Sequence, residues 1–264
     1  MFLSTMRYIL LQFFTICFLS SCKEDRRIHP TEPGPAAVPG LLKKISAISK
    51  LGNYHIEFSY MDSLTLKSII YNYGNRQWTE TFHYKNDTLR TSISNDTTKF
   101  YEYKDGKLSS IVNQPKLPAS EQIIQRYYYL EGGNKVTHII REKKESNEVT
   151  QLSNISLIWR GGNVGFLRLQ TNNFLEEYDF QYGSGKNPLH RVYRQVLRIP
   201  GDHYHSLSEN LISNINLFLQ NSEIRIESTL NNQGYPSEQI IFERTNTSSQ
   251  EWKEKERLLY EYYE

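Results

Sequence analysis

The feature that most constrains this chain is a short run of alternating side chains, cut off by turn residues and then repeated. In Tyr54-His55-Ile56-Glu57-Phe58-Ser59-Tyr60 the large apolar residues fall at every second position, with Glu57 and Ser59 between them. Period two is the mark of a half-buried β-strand. The pattern returns many times. Phe82-His83-Tyr84 passes through Lys85-Asn86-Asp87 to Leu89, and Tyr101-Glu102-Tyr103 through Lys104-Asp105-Gly106-Lys107 to Leu108. Tyr127-Tyr128-Tyr129 passes through Gly132-Gly133-Asn134 to Val136, and Leu157-Ile158-Trp159 through Gly161-Gly162-Asn163 to Val164. Ile224-Arg225-Ile226 leads through Asn231-Asn232-Gln233-Gly234 to Ile240-Ile241-Phe242, and Tyr260-Glu261-Tyr262 closes the series. Asp105-Gly106 is a strong hairpin signal, because the tight turn needs positive φ, which glycine adopts freely. The 19 Tyr and 12 Phe suit such a sheet, since both side chains fit a pleated surface. The expected class is all-β, a meander of antiparallel hairpins over Leu41 to Glu264. Lys116 to Ser120 reads as a loop. Gly201 to Asn216 reads as an irregular or helical insertion, with a short helix at Ser208-Glu209-Asn210-Leu211-Ile212 as one form of it.

The N-terminus sets the compartment. Residues 1–21 have the form of an export signal: Arg7, then an apolar stretch from Tyr8 to Leu19 that is short for a membrane span. They end in Leu19-Ser20-Ser21-Cys22, which resembles the bacterial lipobox. There the small residues let the backbone enter the peptidase cleft, and the cysteine thiol takes the lipid. Cys22 is therefore the expected lipid-attachment site and the first residue of the mature chain. The other reading is an ordinary signal with a chance cysteine. Cys17 leaves with the signal and Cys22 is alkylated, so the mature domain has no thiol for a disulfide, a cysteine zinc site or a nucleophile. Lys23-Glu24-Asp25 resembles the signal that sends some Bacteroidota lipoproteins to the outer face of the outer membrane; the periplasmic face is the alternative. Residues 22–40 hold Pro30, Pro33, Pro35 and Pro39 and read as a semi-extended spacer.

Several motifs together carry a wider likeness. Tyr178-x-Phe180-x-Tyr182 runs into Lys186-Asn187-Pro188-Leu189, Leu207-Ser208-Glu209-Asn210 follows, and the Gly234-Tyr235-Pro236 turn lies beyond. This order resembles a family of Bacteroidota lipoproteins of unknown function with a porin-like fold, over roughly Leu41 to Glu264. The resemblance implies a large curved antiparallel sheet, half-closed or closed into a barrel. It implies no activity and no catalytic residues. Ser228-Thr229-Leu230 departs from the pattern, because an aromatic strand pair is usual there.

No residue pattern here specifies catalysis. His203-Tyr204-His205 beside Asp202 is the best metal candidate, but it lacks a third ligand with a telling position, so two loop histidines remain the simpler reading. Glu176, Glu177 and Asp179 form the densest acidic group; Glu177 and Asp179 could share a strand face as an acid/base pair, but a solvent-exposed strand face explains all three better. Gly161-Gly162-Asn163 lacks the Lys-Ser/Thr of a phosphate loop. Trp78, Trp159 and Trp252 could form a carbohydrate platform or serve as ordinary sheet aromatics. Arg126-Tyr127-Tyr128 hints at single-stranded nucleic acid, but a net charge of +2 speaks against such a partner. The expectation is thus a non-catalytic envelope lipoprotein without cofactor or metal. It meets the membrane through its lipid and binds a glycan or protein ligand. A structural lipoprotein that pairs with an outer-membrane protein through an exposed edge strand is the alternative, and a hydrolase with scattered residues comes third.

Overall fold

The computed structural model describes residues 40–264 apart from residues 51, 63–64, 117–120, 198–203 and 246–250. The signal segment, Cys22 and the spacer up to Pro39 lie outside the described residues, as do the loop positions 117–120. The β domain belongs to one compact unit, Gly34–Glu264.

Its strands follow the hairpin pattern. They are β1 (Leu42–Ser49), β2 (Tyr54–Asp62), β3 (Thr65–Tyr73), β4 (Arg76–Lys85), β5 (Thr88–Ile93), β6 (Thr97–Lys104), β7 (Lys107–Pro115) and β8 (Glu121–Tyr129). Then come β9 (Val136–Glu145), β10 (Glu148–Arg160), β11 (Asn163–Thr171), β12 (Leu175–Lys186), β13 (Asn210–Leu217), β14 (Ser222–Leu230), β15 (Pro236–Thr245) and β16 (Lys253–Tyr262). Each pairs antiparallel with its sequence neighbours, and β1 pairs with β16 through Ile45↔Tyr260 and Ala47↔Leu258. The sheet is therefore a closed barrel. Closure removes the free edge along every described strand pair that an open meander would leave at its two ends.

Side-chain alternation sorts the wall into two faces. Ile45, Ile56, Phe58, Ile69, Phe82, Tyr127, Ile139, Leu157, Leu167, Phe180 and Ile215 point inward and are buried. A round cylinder of this many strands would hold an aqueous channel. Here Phe58, Ile69, Ile139 and Phe180 are each at most 4 % exposed, so side chains rather than water fill the mid-height of the barrel.

The two ends differ. At one end, the join between β12 and β13 is not a tight turn. It is a turn of α-helix, Pro188–His190, that continues as a π-helix, Arg191–Val196, followed by a second short turn, Tyr204–Leu207. The helical insertion thus begins upstream of the expected Gly201, and Asn210–Leu217 is a strand rather than a helix or crossing. The cause is local. Asn187 accepts from Leu189 N through Oδ1 (3.0 Å), and Pro188 starts the turn with the φ a helix needs. Arg191 donates to Gly40 O before β1 (2.9 Å), Arg194 to Asn134 O between β8 and β9 (3.3 Å), and Ser208 Oγ accepts from Val164 N at the start of β11 (3.0 Å). These points are far apart around the ring, so the segment crosses the mouth and caps it. Val192, Leu197 and Leu207 are buried beneath it.

A repeated device builds the capped end. Across seven of the eight joins there, an aromatic residue is the register partner of an aliphatic one: Tyr60↔Leu66, Tyr84↔Leu89, Tyr103↔Leu108, Tyr129↔Val136, Trp159↔Val164, Tyr182↔Ile212 and Tyr262↔Leu42; the β14–β15 join has Leu230↔Pro236 instead. A register shift adjoins each of them, as expected where a bulge re-aims a side chain. The ring then reaches over the other neighbouring strand, from which its own strand has splayed, and donates to a carbonyl there. Tyr60 donates to Leu42 O (3.0 Å), Tyr84 to Leu66 O (3.0 Å), Tyr129 to Leu108 O (2.8 Å), Trp159 Nε1 to Val136 O (2.6 Å), Tyr182 to Val164 O (2.6 Å) and Tyr262 to Pro236 O (2.9 Å). Tyr103 holds the same place with its hydroxyl unpaired. Removing one bridge is informative. Tyr84→Phe should cost about 1 kcal/mol by denaturant titration, since it deletes one hydrogen bond and leaves the ring in place.

Candidate functional site

The opposite end carries the polar and aromatic groups of the lumen. Tyr54 stacks on Tyr73 (ring centroids 4.5 Å, interplanar 8°), Tyr73 on Trp78 (5.5 Å, 14°) and Tyr71 on Trp78 (5.0 Å, 10°). The register explains the ladder: Tyr54↔Tyr73 and Tyr71↔Trp78 are direct cross-strand pairs on the inner face of β2, β3 and β4. Next to it on β16 lies Glu256, hydrogen-bonded by the Tyr54 side chain. Burial raises the Glu256 carboxyl, partly offset by that bond and by Lys255. Burial first, then the Glu256 charge, pushes Tyr54 well up, and the same two causes raise Tyr73 and Tyr260. Tyr260 donates to Gln239 Oε1 (2.5 Å), and Gln239 to Ser228 Oγ (3.0 Å).

Further round, Lys99 pairs with Glu80 Oε1 (2.9 Å), which also accepts from Ser92 Oγ (2.5 Å); Tyr101 lies 3.1 Å from that hydroxyl. Lys143 bridges Glu121 (3.3 Å) and Glu145 (3.4 Å), and Lys255 meets Glu243 (3.0 Å). These groups were legible as sites only through alternation. Glu80 stands two residues from Trp78 and from Phe82, Lys99 two before Tyr101, and Glu256 two before Leu258, so each shares the inner face. The Ser92 hydroxyl does meet the Glu80 carboxylate, but Lys99 holds that carboxylate in an ion pair. The two best-formed depressions among the described residues are open dents, one beside Lys43 and Glu261–Glu264, the other beside Ser46–Ile48, Asn53–His55, Asn72 and Gly74.

The sequence candidates disperse. His203 and Asp202 lie outside the described residues, and among the described residues no three His, Cys, Asp or Glu side chains gather as metal ligands. Glu177 and Asp179 do share the outer face, paired with Arg168 (2.6 Å) and Arg160 (3.0 Å). Glu176 is not a surface residue with them: it points inward, 7 % exposed, and is bound by the Tyr178 hydroxyl and by Gln220 Nε2 (2.9 Å). The three tryptophans form no common platform. Trp78 is in the ladder, Trp159 bridges at the capped end, and Trp252 is covered by the guanidinium groups of Arg225 (4.8 Å) and Arg244 (4.6 Å). Arg126 pairs with Glu142 (2.9 Å) outside, Tyr127 is buried inside and Tyr128 is exposed. Gly161-Gly162 is a plain hairpin turn, with Gly161 at φ +63°.

The outer wall is the most telling surface. Ion pairs cross it between neighbouring strands, Lys44–Glu57 (3.3 Å), Arg126–Glu142, Arg168–Glu177, Glu223–Arg244 (2.6 Å) and Glu238–Arg257 (3.0 Å), and Arg160 of β10 reaches past β11 to Asp179 of β12. A barrel that spans a bilayer presents an outward apolar band about 25 Å tall. Here the outward apolar residues form short patches broken by charge: Ile48 faces Arg257, Leu259 faces Glu238, and the row Phe100↔Val112↔Ile124 ends at Glu142. Ion pairs thus dress the outer wall, apolar side chains fill the mid-height of the barrel, and the ion pairs of the lumen, such as Lys99–Glu80 and Lys255–Glu243, gather toward the uncapped end.

No family model matches the chain, and no curated protein does. Solved structures do. A porin-like protein from Bacteroides uniformis superposes with a TM-score of 0.62 at 14% identity, covering 86% of this chain and 100% of that one. A porin-like protein from Bacteroides vulgatus gives 0.51 at 12% identity, over 84% and 98% of the two chains. At such identities the likeness is one of fold.

Proposed function

We propose that this chain is an envelope lipoprotein of the Bacteroidota family named above, held by lipid on Cys22, whose barrel binds a partner protein and conducts nothing. The observation that carries this reading is the inverted wall: ion-paired outside, filled with side chains inside. A conducting pore needs the opposite on both counts. Two features favour a protein over a glycan as ligand. The ring faces of Tyr54, Tyr73, Trp78 and Tyr71 are largely spent on one another, and the described depressions are open to solvent rather than enclosed. The placement of the anchored barrel on the outer face of the outer membrane follows from Lys23-Glu24-Asp25, with the periplasmic face as the second arrangement.

The test uses the full chain in its host. The wild type should incorporate labelled palmitate and sediment with membranes, and Cys22→Ala should lose the label and leave the membrane fraction. The purified protein should give no conductance steps in a planar bilayer. Stable single-channel openings would refute the filled barrel, and membrane retention of Cys22→Ala would refute the anchor.

A further inference from the structure

At the uncapped end, two neighbouring turns differ from the rest. Taken from the last residue of one strand to the first of the next, the connections 49–54, 73–76, 93–97, 115–121, 145–148 and 245–253 each hold a charged residue. Thr171-Asn172-Asn173-Phe174-Leu175 between β11 and β12 holds none, and neither does Leu217-Phe218-Leu219-Gln220-Asn221-Ser222 between β13 and β14. Each brings a Phe-Leu pair to its tip: Phe174 is 45 % exposed, Leu175 41 %, Phe218 56 % and Leu219 57 %. Turn tips ordinarily carry Gly, Asn, Asp or Ser, whose side chains support the turn, so large apolar groups there need another reason.

The two tips stand side by side because β12 pairs with β13. Phe218 N donates to Glu177 O (3.2 Å), and Gln220 Nε2 to Glu176 Oε1 (2.9 Å). Each tip is also fixed from within. Thr171 Oγ1 accepts from Asn173 N (3.2 Å) and Phe174 N (3.1 Å), and Asn221, at φ +48°, donates its N–H to Phe218 O (3.3 Å). Charge resumes on the outer wall directly behind them, at Arg168–Glu177 on one side and Glu223–Arg244 on the other.

We propose that these tips are a lipid-surface contact: Phe174, Leu175, Phe218 and Leu219 dip into the interface of a membrane, and the charged collar stops them there. Four half-exposed side chains present roughly 400 Å² of apolar surface, about half of what each side of a stable protein complex buries. Two copies meeting through their tips would likewise bury only about the area of a packing contact. A bilayer asks for no matching shape, and an apolar face of this depth suits its headgroup–acyl boundary. The absence of charge from both turns makes the contact one with zwitterionic lipid rather than an anionic surface. The tether permits it. The 18 residues from Cys22 to Pro39 reach about 55 Å when extended, against about 40 Å for the 12 residues of β12, so a chain entering at the capped end can still lay its other rim on the same bilayer. That reach rests on the anchor at Cys22; the contact itself does not.

The test removes the anchor. The mature chain, residues 22–264 with Cys22→Ala, is titrated with phosphatidylcholine vesicles. Half-binding is expected near about 1 mM lipid, with no release by high salt. So weak a contact does not survive washing, and loss of Cys22→Ala from the membrane fraction remains the expected result in the host. Phe174→Ser with Phe218→Ser should weaken vesicle binding at least tenfold. In a second measurement, Phe218→Trp should be quenched by brominated phosphatidylcholine, whereas Met61→Trp, exposed at the capped end, should not. No binding by about 10 mM lipid, unchanged binding by the serine pair, or equal quenching at both positions would each overturn the proposal. So would self-association of the chain that the serine pair abolishes, because the tips would then meet a second copy. The palmitate and conductance experiments do not depend on it, so its failure and theirs are told apart.

Discussion

Lys99→Met should lower the unfolding free energy by about 3 kcal/mol, read as a shift of the urea midpoint at unchanged slope. The reason is the place of its partner. The Glu80 side chain is 9 % exposed inside the wall, with Lys99 at 2.9 Å and Ser92 Oγ at 2.5 Å. Removing the ammonium leaves a carboxylate in a nearly dry site with one hydroxyl to satisfy it. Losing one partner of a buried pair costs more than the pair itself is worth. The double change Lys99→Met with Glu80→Gln should therefore recover much of the loss. A single-variant shift under about 1 kcal/mol would mean that water reaches Glu80 and that this part of the lumen is not sealed.

The second large effect is alkaline. The bridging tyrosines act as neutral donors, and burial is the main force that shifts them. Tyr129 and Tyr182 are pushed up to about 12, each despite opposing interactions, from Arg194 in the first case and chiefly the Ser208 hydrogen bond in the second; burial drives Tyr60, Tyr84 and Tyr262 higher still. A folded value above the unfolded one means that stability is fully present below the unfolded value near 10. It is lost as pH climbs through the window from there to 12 and beyond. Every one of these rings but that of Tyr60 is partly exposed, so its share is well below the full linkage value, but several act together. The melting temperature at about pH 11 should fall about 10 °C below that at about pH 8. Tyrosinate absorbance should rise in one step with the loss of sheet signal. A smooth titration near 10 with the sheet intact would show that these hydroxyls are open to water.

What the sequence makes legible is what neighbours in the chain decide. Tyr54, Ile56, Phe58 and Tyr60 announce their own inner face, and Asp105-Gly106 and Gly161-Gly162 announce their own turns. Closure is different. Ile45 meets Tyr260 across nearly the whole domain, and nothing local in either segment encodes that pairing. Glu176 reads as one of an acidic trio until the phase of Tyr178 and Phe180 is applied to it. The same phase would have drawn Glu80, Lys99 and Glu256 inward. The capping helical segment was announced by Asn187-Pro188, a helix-start pair upstream of the expected interruption. The departure at Ser228-Thr229-Leu230 was visible in the residues, but its meaning needed the other bridges for comparison.

The first strand begins where the last one ends. Gly40 N donates to Tyr263 O, Tyr263 N donates to Leu41 O, and Arg191 holds Gly40 O. Any tension transmitted along the N-terminal segment therefore enters the wall at one corner. It is carried along β1, with β16 on one flank and β2 on the other, so both ladders are loaded lengthwise and their hydrogen bonds resist together rather than peeling one by one.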